Sequence, residues 1–206
     1  MSPPPDPPLP LPLSEPDGAT PLDPDEAEGL RLDSIRTRGD LDRVEQANIV
    51  DGLAWLSRRR QTDVLDDQFL RRLHRELFGQ VWRWAGTYRQ TEKNIGVEPR
   101  QIQVELRKLL DDVRAWIEYH SYPPREMALR FHHRLVRIHL FANGNGRHAR
   151  IAADALLQQL GEARIDWLPG DQPLQQAGAL RTAYIEALRS ADGGDYRALL
   201  ELYGAT

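Results

Sequence analysis

From Leu41 onward the apolar residues recur at helical spacing, and this periodicity persists over most of the chain. Leu41, Val44, Ile49, Leu53 and Leu56 share one face, while Phe69, Leu73 and Leu77 share another segment's face. Ile102, Leu106, Leu109, Val113 and Ile117 repeat the pattern, as do Met127, Phe131, Leu135 and Ile138 after Pro123 and Pro124. Further helices are expected from the loop at 143–146 to Gly161, from Leu174 to Leu188 and from Tyr196 to Tyr203. Such stripes bury against one another, so the fold class is mainly α. One interruption stands out, "VWRWAGTYRQTEKNIGVEP", where Gly86, Thr87, Tyr88, Ile95, Gly96 and Val97 favour extended chain and turn; a short β-hairpin or flap is expected there.

Residues 1–24 hold ten of the fifteen prolines, too many missing N–H groups for helix or sheet, and are read as a disordered, Pro-rich tail. The remaining 25–206 are of a size for one domain with its own core. A net charge of −4 argues against a partner held by a basic surface, so direct nucleic-acid binding is not expected. No cysteine occurs, which excludes a thiol nucleophile and thiolate metal sites and suits a reducing cytoplasm. No run approaches the roughly 18 apolar residues a membrane span needs.

Chemistry concentrates in "RIHLFANGNGRHAR", residues 137–150. Asn143, Gly144, Asn145 and Gly146 tolerate positive φ, so successive N–H groups can converge into an anion nest. A helix follows at once and adds its N-terminal N–H groups and dipole to the same place. On that helix Arg147, Arg150, Asp154 and Gln158 fall on one side, opposite Ala149, Ala152, Ala153, Leu156 and Leu160. Two arginines in a first turn oppose the dipole, and a phosphate chain would offset that cost. His139 closes the preceding helix, Phe141 is expected to plug the core between the two, and the imidazole can serve as general base for a hydroxyl attacking phosphorus.

These residues resemble the signature of the Fic (Fido) family, HxFx(D/E)GNGRxxR, at His139, Phe141, Gly144, Asn145, Gly146, Arg147 and Arg150. The stretches "WAGTYR" and "NIGV" are similar to the family's flap region, and "TRGDL", "EQANI", "EKNIGV" and "NGNGRHAR" resemble the Fic-type group called mobile mystery protein B. The resemblance implies a Fic-type helical bundle with a small β-hairpin flap and transfer of AMP from ATP, with Mg²⁺, to a Ser, Thr or Tyr hydroxyl of a protein substrate. It implies His139 as the base, Asn145 and the N–H groups of Gly144 and Gly146 on the α-phosphate, and Arg147 and Arg150 on the β- and γ-phosphates. Lys93, Asn94, Ile95, Gly96 and Val97 would form a flap that aligns the target chain by strand pairing.

Two positions qualify that expectation. Asn143 stands where the family carries an acidic metal ligand, and a neutral oxygen holds a hard cation more weakly, so activity is expected to be low. The alternatives are a nucleotide-binding regulatory module, paired with a DNA-binding protein, in which Asn143 has ended catalysis, and transfer of another nucleoside monophosphate. Glu45 lies within the apolar face of the helix expected at about 41–57, with Asn48 beside it, and a buried carboxylate requires a partner. Family members carry an inhibitory glutamate that pairs with the motif's second arginine, so Glu45 is expected to pair with Arg150 and restrain nucleotide binding. His132 and His133, about 100° apart on a helix, are expected to pack and not to share a metal. Trp82, Trp84 and Trp116 are expected in the core.

Overall fold

The computed structural model describes residues 27–32, 35, 38–59, 63–167 and 178–204; the Pro-rich tail and the start of the helix expected from Leu174 lie outside them. Seven α-helices follow in order: α1 Arg38–Ser57, α2 Asp67–Phe78, α3 Ile102–Glu118, α4 Pro124–Ile138, α5 Asn145–Gln159, α6 Gly178–Asp192 and α7 Arg197–Tyr203. A 3₁₀ turn at Pro99–Gln101 leads into α3. No helix among the described residues is long and apolar enough to cross a membrane.

Helix α4 is the central element, packed by α3, α5, α6 and α7, while α1 lies on α2 and α2 reaches α5. The α4–α5 pair packs through small side chains on α5, where Ala149, Ala152 and Ala153 are fully buried with Leu156. Pro124 opens α4 at a first-turn position where its missing N–H costs nothing. The Asp66 side chain caps α2 by accepting from the Phe69 N–H at 2.9 Å. Phe141 is fully buried, and truncating such a side chain costs about 3–5 kcal/mol.

Helix α1 departs from the expected stripe. Leu41, Glu45, Asn48, Ile49 and Leu56 are buried, whereas Leu53 is 37% exposed and Val50 57% exposed. The buried face is rotated because it carries polar contacts as well as apolar ones. Asn48 donates to the Glu76 carbonyl and accepts from the Gln80 N–H, both at 2.9 Å, tying α1 to the end of α2. Gly52 permits the close crossing, since a Cβ there would stand 2.8 Å from Leu77 and 2.9 Å from the Glu76 carbonyl oxygen.

The expected β-hairpin is not formed. Among the described residues the single bridge pairs Leu30 with Trp82, and residues 88–98 run as irregular chain. Its polar groups are turned toward the α4–α5 connection: the Arg89 N–H donates to the Leu140 carbonyl at 3.0 Å and the Val97 N–H to the Ile138 carbonyl at 3.4 Å. The flap is therefore stitched to the loop below it, with Gly96 at φ +106° making the bend.

Candidate active site

His139 ends α4 in the left-handed conformation, φ 59° and ψ 67°, with its N–H donating to the Leu135 carbonyl. This region is unusual for a residue with a Cβ, and it swings the chain back toward α5. The imidazole is buried, and its pKa is lowered to about 4. Burial is the first cause, followed by the Arg89 guanidinium, with Lys93 adding to it against the opposing Val136 carbonyl. At neutral pH the ring is uncharged, the state a proton acceptor needs.

Between the two helices the chain turns through Asn143 and Gly144. Gly144 sits at φ +77°, and a Cβ there would lie 2.8 Å from the Phe78 ring, so both dihedral and space demand glycine. Gly146, within the first turn of α5, differs: a Cβ there meets nothing within 4 Å. The open space before the α5 N-terminus is where converging N–H groups can receive an anion. Asn145 closes the loop: its Oδ1 accepts from the Phe141 N–H at 2.9 Å and one hydrogen of its Nδ2 is donated to the Phe141 carbonyl at 2.7 Å. Asn143 turns its Oδ1 onto the Gly144 N–H.

The two arginines leave α5 toward different neighbours. Arg147 lies over the Phe78 ring of α2, 4.8 Å from its centroid, and its Nη1 donates to Glu45 Oε2 at 2.7 Å. Arg150 rests on Tyr184 of α6, 6.0 Å from the ring centroid. They remain neighbours, since Arg147 is among the groups that lower the Arg150 pKa, after burial itself. Among the described residues no carboxylate stands within ion-pair distance of Arg150.

Glu45 is buried as expected for a carboxylate with a dedicated partner, but that partner is Arg147 and not Arg150. The reason is directional: α1 packs on α2, the side of α5 on which Arg147 lies, whereas Arg150 is turned to α6. A second donor completes the site, Trp82 Nε1–H to Glu45 Oε1 at 2.7 Å. Trp82 is thus in the core, as expected, and uses its one polar atom on the carboxylate; Trp84 stacks on it at 4.9 Å. His132 and His133 are buried and bonded apart, to Tyr184 and to Tyr196 with Asp192. Among the described residues no cluster of three or more His, Cys, Asp or Glu could hold a metal ion.

Three residues that frame the site were not singled out in the sequence. Phe78 carries both Gly144 and Arg147. His74 bridges two loops: the Gly86 N–H donates to its Nδ1 at 3.0 Å, so its Nε2–H donates to the Asn143 carbonyl at 3.0 Å. Burial, its largest influence, holds the His74 pKa well below the ordinary value, and its ring stacks 3.7 Å from Phe141. Its position on the apolar stripe with Leu70, Leu73 and Leu77 was a usable signal. Arg89, buried under His139, gave none until the chain was folded.

The comparisons bear on the fold and the family. Residues 64–157 match the sequence pattern of the Fic/DOC family. A Drosophila grimshawi "Protein adenylyltransferase Fic" is 31% identical over 129 residues, 61% of this chain and 25% of the relative. The chain thus spans about a quarter of the length of that curated relative. The N-terminal FIC domain of Bep8, a VirB-translocated effector from Bartonella sp. 1-1C, superposes with a TM-score of 0.66 at 16% identity, covering 82% of this chain and 85% of that one. BepC from Bartonella tribocorum, solved with bound AMPPNP, does so with a TM-score of 0.64 at 19% identity, over 82% and 86% of the two chains.

Proposed function

Residues 64–157 are a domain of the Fic/DOC family, and on that premise we propose that the chain transfers AMP from ATP to a Ser, Thr or Tyr hydroxyl of a target protein. The observation that carries the proposal is Arg150: a partly buried guanidinium in the opening turns of α5, with no acid partner among the described residues, calls for an anionic guest. The N–H groups of Gly144 and Gly146 hold the α-phosphate, and Arg150, with Arg147 once released from Glu45, holds the β- and γ-phosphates. His139 takes the proton as the target oxygen bonds to the α-phosphorus, and the bond from that phosphorus to the bridging oxygen breaks, releasing pyrophosphate. Residues 93–97 align the target chain beside His139, Gly96 already lying against it. That curated relatives bear the name protein adenylyltransferase supports this reading.

Mg²⁺ enters the proposal as the companion of the ATP phosphates. The loop offers it a neutral amide oxygen at Asn143 that already accepts from Gly144, a poor fit to a cation that favours carboxylates and phosphate oxygens, and no step is assigned to it. The same observation favours a second reading, a nucleotide-binding regulatory module with little turnover, to which a DNA-binding protein would be the partner. A cytoplasmic location suits this reading, because ATP is its co-substrate.

Labelled ATP separates the readings. Glu45→Gly incubated with lysate transfers the label of α-labelled ATP to protein and none from γ-labelled ATP beyond that seen with lysate alone. Binding without transfer, restored to transfer by Asn143→Asp, establishes the regulatory module, and γ-label above the lysate-alone level contradicts adenylyl transfer.

A further inference from the structure

We propose that Arg89 is the positioning residue of the reaction, holding His139 in its left-handed conformation and fastening the flap to it. Three directions of its guanidinium are engaged by carbonyls: Nε donates to the His139 carbonyl at 2.6 Å, Nη1 to the Thr91 carbonyl at 2.8 Å, and Nη2 to the Val97 carbonyl. Ile138 lies at 3.5 Å from Nη2 as well. The side chain is 3% exposed, so a charge has been taken out of water to make these bonds. Charge-assisted bonds to these carbonyls oppose the strain of a non-glycine residue held in the left-handed region.

The acceptors explain the choice of arginine. The Ile138 and His139 carbonyls lie where α4 ends, and the turn at His139 sends them toward the flap. A planar fork reaches the base's own peptide and both limbs of the flap, Thr91 and Val97, at once; an ammonium on a flexible stem does not. The fit is tight, because a Cβ on Gly96 would fall 2.6 Å from the His139 Cβ and 2.7 Å from Arg89 Nη2. The flap that receives the target chain and the imidazole that takes its proton are therefore one mechanical unit with Arg89 at its centre. Among the described residues the charged groups that face the imidazole are Arg89 and Lys93, and both favour its neutral form.

This inference rests on His139 being the base, and the test reads the imidazole itself as well as turnover. His139 is followed by NMR titration of its ring in the parent, Arg89→Met and Arg89→Lys, with AMP transfer measured in parallel. The parent is expected to titrate near pH 4. Arg89→Met, without the charge, moves that midpoint upward. Arg89→Lys keeps the charge and the low midpoint but loses the fork, so kcat falls about tenfold or more while KM for ATP holds. A folded Arg89→Lys with the parent's kcat overturns the proposal, as does an unmoved midpoint in Arg89→Met. If Arg89→Met does not fold, the lysine variant alone decides. Absence of transfer from Glu45→Gly as well as from the parent removes the adenylylation reading, and the titration of Arg89→Met then decides the positioning role; where only the parent is silent, kcat is compared in the Glu45→Gly background.

Discussion

Glu45 of α1 and Arg147 in the first turn of α5, 102 positions apart in the chain, meet at 2.7 Å, and the indole N–H of Trp82 holds the other oxygen of the same carboxylate. One arginine of the proposed phosphate cradle is thus engaged by an acid. Neutralising the pair from within is what an occupying anion must overcome.

Removing the indole donor tests how firmly Glu45 is held. Trp82→Phe keeps the ring volume near core size and leaves Glu45 with Arg147 alone. Stability is expected to fall by about 1–3 kcal/mol in urea unfolding, the cost of an unmade buried hydrogen bond, and ATP affinity to rise as the carboxylate loosens. Unchanged stability with unchanged affinity would mean the indole contact carries no weight.

Glycines 144 and 146 are expected to respond oppositely to a methyl group. Gly144→Ala meets both a positive φ and the Phe78 ring, and should lose about 1–3 kcal/mol. Gly146→Ala finds open space at a helical position, where alanine favours the helix, so its thermal midpoint should hold or rise. The added methyl nevertheless projects into the cradle, so ATP binding in a Glu45→Gly background should weaken by about tenfold, or 1.4 kcal/mol. Calorimetry on both variants checks the pair; normal ATP binding by Gly146→Ala would place the phosphates elsewhere.

Acid should unfold this protein earlier than its carboxylates alone would. Burial, the first cause in each case, lowers His132 to about 3, His139 and His148 to about 4, and His74 and His133 below their ordinary value. A histidine depressed in the folded state binds its proton more readily when unfolded. The contribution is complete above pH about 6.5 and is lost as pH falls toward 4. Asp154 acts in the other sense: desolvation raises it to about 6, so the folded state takes up its proton first and gains stability as pH falls from 6 toward 3.8. Five histidines against one carboxylate give a net loss. Urea midpoints at pH 7, 6 and 5 should decline in that order, and a flat or rising series would contradict the assignment.

The sequence exposed the site more fully than the connections that support it. Helical spacing located α2 to α5, and Phe141 went to the core, because a stripe of leucines has few other destinations. The turn between α4 and α5 was legible for a similar reason: asparagine and glycine favour the positive φ that Gly144 adopts, a local rule that needs no tertiary partner. What failed were choices among neighbours. Glu45 was read as requiring a cation, but which arginine it meets depends on the side from which α1 approaches α5. The flap read as a hairpin because its residues favour extended chain, yet its N–H groups pair with the Ile138 and Leu140 carbonyls across the loop.

The most direct measurement is an isothermal titration of ATP into the parent, Glu45→Gly and Glu45→Gly/Arg150→Ala. A polyphosphate cradle closed by Glu45 predicts binding to Glu45→Gly about tenfold or more tighter than to the parent, lost again when Arg150 is truncated. Equal affinities across three folded proteins would contradict it.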